Sequence, residues 1–282
     1  MRNVFVISLA CLILAGCSTK FAYNNFDWLV HWYLDDYIEL TDEQETFFDS
    51  NVEDWMAWHR SEELVRYKNH LQTIKTDVSN GTIDRDTIQN HMDQARAHYT
   101  RVREKVSPAV ADMAVEISEE QVTYFFAALE KENKKQEKKM AKRLKDGREK
   151  ALKRRIEDIT DDIESEIGRL TAEQKDIIAT YAPLFISTGQ DWLAYRRNIQ
   201  NEARILFASR DTNPNFRQEV LYMINNPDDY RSPEYVEYRD VNREQFLALL
   251  SEIAPTLTEK QKTKLIKEID DIIDDLDDLM ER

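Results

Sequence analysis

Cysteine is almost missing from this chain: Cys11 and Cys17 are the only two in 282 residues, and both lie near the start. A chain whose mature part holds at most one thiol has no pair for a disulfide and too few thiols for a cysteine-based zinc site, so a packed core must hold it together. Glycine and proline are scarce as well, five and six, and most stand where apolar periodicity breaks. No stretch alternates apolar and polar residues between glycine-rich turns, so β-strands have no candidate. Long apolar runs are lacking too. The longest, Val4 to Leu14, spans roughly 17 Å as helix against a hydrocarbon core of roughly 30 Å, which disfavours a permanent transmembrane helix. Positive charge is in deficit, 39 Lys and Arg against 54 Asp and Glu for a net of −15, and that argues against nucleic-acid partners.

Signatures of chemistry are missing in the same way. There is no G-x-S-x-G, no phosphate-cradling glycine loop and no H-E-x-x-H, and none of the five histidines has a glutamate three residues before it. The helical di-metal and hydrolase patterns are therefore not met, and no metal or cofactor is expected. His91 and His98 are seven apart on one expected helix face, and His59 and His70 eleven apart on another; surface or partner-bonded imidazoles account for both pairs. Glu62 and Glu63 are adjacent, so on a helix they point in different directions and make a poor glycosidase pair.

What is present begins with a leader. Met1-Arg2-Asn3, the apolar run and the small pair Ala15-Gly16 before Cys17 have the plan of a secretory signal peptide. The end of that leader, Leu14-Ala15-Gly16-Cys17, resembles the lipobox of bacterial lipoproteins. The resemblance implies removal of 1–16, a diacylglyceryl group on Cys17 and a membrane tether through it. Ser18 in second place implies delivery to the outer membrane in two-membrane bacteria. The alternative is an ordinary secretory peptide followed by a free thiol.

About 265 mature residues are enough for one large domain or two small ones. The expectation is an all-α, irregular helical bundle of eight or nine helices over 26–282, behind a lipidated tether at 17–25, with halves 26–116 and 117–282 considered. Four phrases punctuate it: Leu40-Thr41-Asp42-Glu43-Gln44, Ile117-Ser118-Glu119-Glu120-Gln121, Leu170-Thr171-Ala172-Glu173-Gln174 and Leu257-Thr258-Glu259-Lys260-Gln261. In each, a hydroxyl can accept from the backbone N–H three residues on while the glutamine reaches back, so each reads as a capping box that starts a helix. Their spacings of 77, 53 and 87 residues are too irregular for a solenoid. Gly81 and Gly168 read as helix stops, Pro108 as a break after which the helix resumes, Pro183 as a kink, and Asp146-Gly147 as the turn of a charged hairpin, favoured over one fifty-residue helix.

Charge is laid out in blocks. Lys131 to Arg155 carries thirteen basic residues against four acidic ones, while Asp35–Glu63 and Glu268–Arg282 are acidic. Lys134, Lys135, Lys138, Lys139, Lys142 and Arg143 make a candidate contact for an anionic surface, with a solvated face as the simpler account. The poor apolar stripe between Leu129 and Met140 implies that this part projects from the core. Trp55, Trp58, His59 and Arg60 form a candidate interaction surface, with core packing at helical spacing the plainer reading. Tyr23, Trp28, Trp32 and Tyr33 closely follow Cys17; they suit either a headgroup-level belt or, the favoured reading, packing of the first helix on the bundle.

Two further resemblances follow from residues already quoted. The Leu-Thr-x-x-Gln phrase is similar to the recurring motif of the Spy and CpxP group of periplasmic stress chaperones. A start of Cys17, Ser18, Tyr23, Asn24, Asp27, Trp28 and Leu29, a later Trp58-His59-Arg60 with Glu63-Leu64, and Gly168-Arg169-Leu170-Thr171 with Gln174 resemble an uncharacterised family of bacterial lipoproteins. That family implies a helical, membrane-tethered protein and imports no activity. The functional expectation is a non-enzymatic lipoprotein facing the periplasm, acting through protein or envelope contacts in a chaperone-like or scaffolding role. The alternative is an enzyme or small-ligand carrier with a site buried between helices.

Overall fold

A computed structural model describes residues 17–281, with side chains from Lys20; the expected signal peptide lies outside the described residues. Every regular element described is helical. In chain order these are α1 Cys17–Asn24, α2 Phe26–Leu34, α3 Asp42–Trp58, a π-helical turn His59–Glu63, α4 Leu64–Asn80, α5 Arg85–Glu116 and α6 Glu119–Leu144. Then come α7 Arg148–Ile167, α8 Ala172–Tyr181, α9 Gly189–Ala208, α10 Phe216–Asn225, α11 Pro233–Ile253 and α12 Glu259–Met280. Because α3 runs into α4 through the π turn, these twelve segments make eleven separate rods, more than the eight or nine expected. The excess has local causes. A 3-10 turn at Ala182–Leu184, carrying Pro183, ends α8 instead of kinking it, and α10 is a ten-residue helix between two loops, too short to announce itself.

All four capping boxes form as the sequence implies, each hydroxyl accepting from the glutamine N–H three residues on. Gly81 and Gly168 take left-handed φ of 69° and 84° at helix stops. Pro108, by contrast, does not break α5. Proline frees the Glu104 carbonyl of its helical partner. The Ser107 hydroxyl lies 3.4 Å from that oxygen and bonds Asn225 Oδ1 of α10 at 3.0 Å. Packing of α5 on α10 thus outweighs the lost bond.

The boxes do more than start helices, because they meet in pairs. Gln44 and Gln121 exchange amide hydrogen bonds of 3.2 and 2.6 Å, and Gln174 and Gln261 do the same at 3.0 and 2.8 Å. Each carboxamide also donates to the carbonyl two residues before its partner's cap: Glu116, Glu39, Thr256 and Arg169. The spacings of 77 and 87 residues therefore separate partners within a pair, and two local pseudo-twofold junctions replace the missing solenoid.

Three small cores pack around these junctions. In one, Leu64, Tyr67 and Leu71 of α4 face Ile269, Ile273 and Leu279 of α12. A second joins Ile167, Ile178 and Phe185 to Leu249 and Ile253 of α11. The third sets Ala111 and Ala114 of α5 on Leu206, Phe216 and Val220. The first and third cross the boundary considered at 116, so the chain packs as one bundle. The acidic end of α12 is met by Lys20, Lys68 and Lys75 through Asp275, Asp278, Asp277 and Asp270, not by the basic block.

Two expectations for that block need correction. The chain does turn at Gly147, but as an elbow: α6 packs along α9, while α7 packs on α8 and α12. Nor does Leu129–Met140 project. Asn133 is buried and bonds Gln200 at 2.6 Å and Arg196 at 2.7 Å, while Arg197 clamps Glu130 and Glu137. A polar seam has taken the place of the apolar stripe. It ends at Gly189, where an added Cβ would collide with the Met140 side chain.

The amide pairs predict unequal costs. Gln174 and Gln261 are buried, so Gln261→Ala loses a cap bond and strands the Gln174 amide, destabilising by about 2–4 kcal/mol. Gln44→Ala acts on a half-exposed pair and costs about 1 kcal/mol. Urea denaturation of the two variants against the parent checks the order.

Candidate functional site

The π turn holds the sequence-selected group together. One extra residue per turn rotates the side chains that follow by about 100°, so Glu63 faces inward and is fully buried while Glu62 stays exposed. Trp55, Trp58, His59 and Arg60 are all half-buried. Trp55 meets Phe48 edge-on, the Lys105 ammonium sits 5.8 Å from the Trp58 ring, and Arg60 lies 5.6 Å from the Tyr23 ring. His59 Nδ1 meets the Tyr23 hydroxyl at 3.0 Å. Trp58 thus faces α5, His59 and Arg60 face α1, and all four residues are partly covered by neighbours.

Behind them runs a polar chain that the sequence reading did not assemble. Arg101 of α5 donates to Glu63 through Nε at 2.6 Å and Nη2 at 3.1 Å, and Nη2 also contacts His98 Nδ1. His98 Nε2 is 3.3 Å from His70 Nδ1, His70 Nε2 is 3.2 Å from His91 Nδ1, and His91 Nε2 is 3.0 Å from Asp77 Oδ2. His98 Nδ1 also faces Glu63 Oε2, but at a longer 3.4 Å; the nearer guanidinium only donates, so His98 Nδ1 accepts from it. The proton then sits on Nε2 of His98, and the same logic repeats down the line. His98 and His70 are thus Nε2–H tautomers that donate down the line toward His91, whose Nε2 faces Asp77. Tyr67 packs edge-on against His98 with ring centres 4.7 Å apart.

The electrostatics agree with that order. Burial, reinforced by His91 and His98, pushes His70 down to about 4. Burial also lowers His98 and His59 against the opposing pull of Glu63. For Glu63, burial pushes upward, but the Arg101 hydrogen bonds and charge prevail and hold it below the usual carboxylate range. Every nitrogen of the three central rings is taken by a neighbour, so the ladder is closed on itself. The available signal was a pair of helix stripes, 63/67/70 running from the π turn into α4 and 91/98/101 on α5, with polar residues at helical spacing on facing helices.

An open groove of about 950 Å³ lies elsewhere, over the Gln44–Gln121 junction. Leu40, Phe47, Met113, Val115 and Tyr124 give it an apolar lining, with Phe47 and Tyr124 exposed. Glu39, Glu43, Glu116 and Glu120 rim it, and its one cation, Arg217, is engaged with Asp112. The other sequence-selected residues, Lys134, Lys135, Lys138, Lys139, Lys142 and Arg143, are all exposed on α6. The last four have no ion-pair partner among the described residues. His31, Glu45 and Asp49 bring ligating atoms within 4.8 Å of one another, and within that group His31 bonds Asp49 at 2.5 Å, joining α2 to α3.

A family model described as a family of unknown function, DUF6279, matches residues 36–236. The matched span contains Trp58–Leu64 and Gly168–Gln174 but starts after the Cys17–Leu29 motif. No curated protein and no solved structure matches.

A histidine held neutral by the fold stabilises it above its unfolded value and ceases to as pH falls toward the folded one. With His70 moving from 6.5 to about 4, stability falls by on the order of 3 kcal/mol between about pH 6.5 and pH 4. Urea midpoints across that range measure the loss. Histidine nitrogen-15 spectra at pH 7 are expected to show Nε2–H tautomers for His70 and His98, and an imidazolium at either contradicts the assignment.

Proposed function

We propose that this chain, which belongs to the DUF6279 family of unknown function, is a lipid-anchored lipoprotein facing the periplasm that works by holding other proteins and not by chemistry. The observation that carries the reading is the groove over the Gln44–Gln121 junction. It is concave, apolar along its lining and acidic at its rim, and it fits a basic amphipathic segment of an envelope protein, with lysine or arginine at the rim and aliphatic or aromatic side chains on Phe47 and Tyr124. A chaperone-like or scaffolding role follows, and the Leu-Thr-x-x-Gln likeness supports it. Anchoring rests on the lipobox ending at Cys17, with Ser18 favouring the outer membrane. The closed Arg101–Asp77 ladder speaks against the enzyme reading: its histidines, arginine and carboxylates converge, but on one another.

The test is fluorescence anisotropy of the full mature chain with a labelled peptide alternating lysine with leucine and phenylalanine, and with its glutamate counterpart. The basic peptide is expected to bind, more weakly as salt rises, and the acidic one to fail. Phe47→Ala with Tyr124→Ala, both at exposed positions, weakens binding by about tenfold or more. Equal affinity for the two peptides, or for parent and double variant, overturns the reading.

A further inference from the structure

The first two helices are held by one side and leave the other bare. Lys20 bonds Asp275 and Asp278 at the end of α12 at 2.7 and 2.5 Å. Tyr23 reaches His59, packs against the α4–α12 core, and so joins the bundle. His31 reaches Asp49 and meets the Phe48 ring edge-on at 5.4 Å. Tyr23 against His59 and His31 against Asp49 set α1 and α2 antiparallel to α3. The tether expected at 17–25 is thus a docked helix that begins at Cys17 itself.

The opposite side carries Phe21, Trp28 and Trp32, which are 61%, 60% and 65% exposed. Trp28 and Trp32, four apart, share one face of α2, Phe21 precedes them on α1, and Phe26 and Tyr33 are exposed beside them. Of the sequence readings, packing onto the bundle holds for Tyr23 and fails for Trp28, Trp32 and Tyr33. Between Lys20 and Asp35 the only formal charge at neutral pH is Asp27. A surface this poor in charge and rich in indole is not built for ion pairing. No described helix is long and apolar enough to cross a membrane, but a docked helix can lie in the interface with one face sunk about 5–10 Å. Trp32 is fifteen residues from Cys17, about 22 Å along a helix, so a lipid on that sulfur would hold this surface beside the bilayer.

We infer that the Phe21–Trp28–Trp32 face of α1 and α2 is a bilayer-docking surface that rests in the headgroup layer and fixes the bundle's orientation on the membrane. The inference rests on the anchor reading, and its test separates the two. The lipidated mature chain is reconstituted into phosphatidylethanolamine–phosphatidylglycerol vesicles whose acyl chains carry bromine, a short-range quencher of indole. The same vesicles are offered to the Cys17→Ser chain, and palmitate incorporation at Cys17 is measured alongside.

Strong quenching is expected in the lipidated protein and is expected to fall at least about threefold in Trp28→Phe/Trp32→Phe, since Trp55, Trp58 and Trp192 are half-buried in the bundle. Circular dichroism of that variant should match the parent. Cys17→Ser is expected to bind at least about tenfold more weakly, and any quenching it does show should vanish with the same double substitution. Palmitate incorporation and vesicle flotation without quenching of Trp28 and Trp32 would overturn the docking surface while leaving the anchor intact. Absence of palmitate would remove the anchor, and quenching in Cys17→Ser would then uphold the surface alone. A dimer that dissociates on Trp28→Ser/Trp32→Ser, with no quenching on vesicles, would assign the face to a second copy and also overturn the inference.

Discussion

Two carboxamides meeting head to head hold this fold. A helix start leaves backbone N–H groups without partners, and here four starts are brought together two by two, so each junction presses positive dipole ends toward each other. Glutamate at the third position would complete a capping box as well as glutamine does, yet it would also set two carboxylates within hydrogen-bond distance across the junction. Glutamine supplies an acceptor for its own cap and donors for its partner's amide and carbonyl, with no charge to repel. The recurrence of glutamine at positions 44, 121, 174 and 261 thereby has a physical cause beyond capping.

Much of the local structure was legible from single residues. The four hydroxyl–glutamine phrases start helices where they should, and Gly81 and Gly168 stop them in the one region of φ that glycine enters freely. What escaped was decided at long range. Nothing near Gln44 states that its partner is Gln121 rather than Gln174. Pro108 obeys the packing of α5 on α10 and not its own preference. Asn133 and Arg197 carry a helix across a polar seam where an apolar stripe was sought. The candidate site divides the same way. The aromatic and histidine positions around 55–60 were visible, but the π turn that buries Glu63, and with it the alignment of His98, His70 and His91, depends on two helices reading each other's faces.

The ladder and the groove separate two ways of working. Along the ladder, a donor-only guanidinium at one end and a carboxylate at the other orient the imidazoles between them, and each ring nitrogen is taken by a neighbour. Over the first junction the apolar residues Leu40, Phe47 and Tyr124 stay open, with carboxylates around them. One assembly satisfies its polar groups internally; the other keeps an apolar surface open. On this account the molecule is a rigid bundle that presents a groove, and the ladder belongs to the stiffness behind it.

Hydrogen–deuterium exchange of the full chain in the envelope of the cells that express it, compared with the same protein purified and alone, addresses that division directly. Protection in the envelope is expected in 39–47 and 112–124, with 63–101 unchanged. Protection confined to 63–101, with the groove segments exchanging as they do in isolation, would place the working site at the ladder and contradict the account.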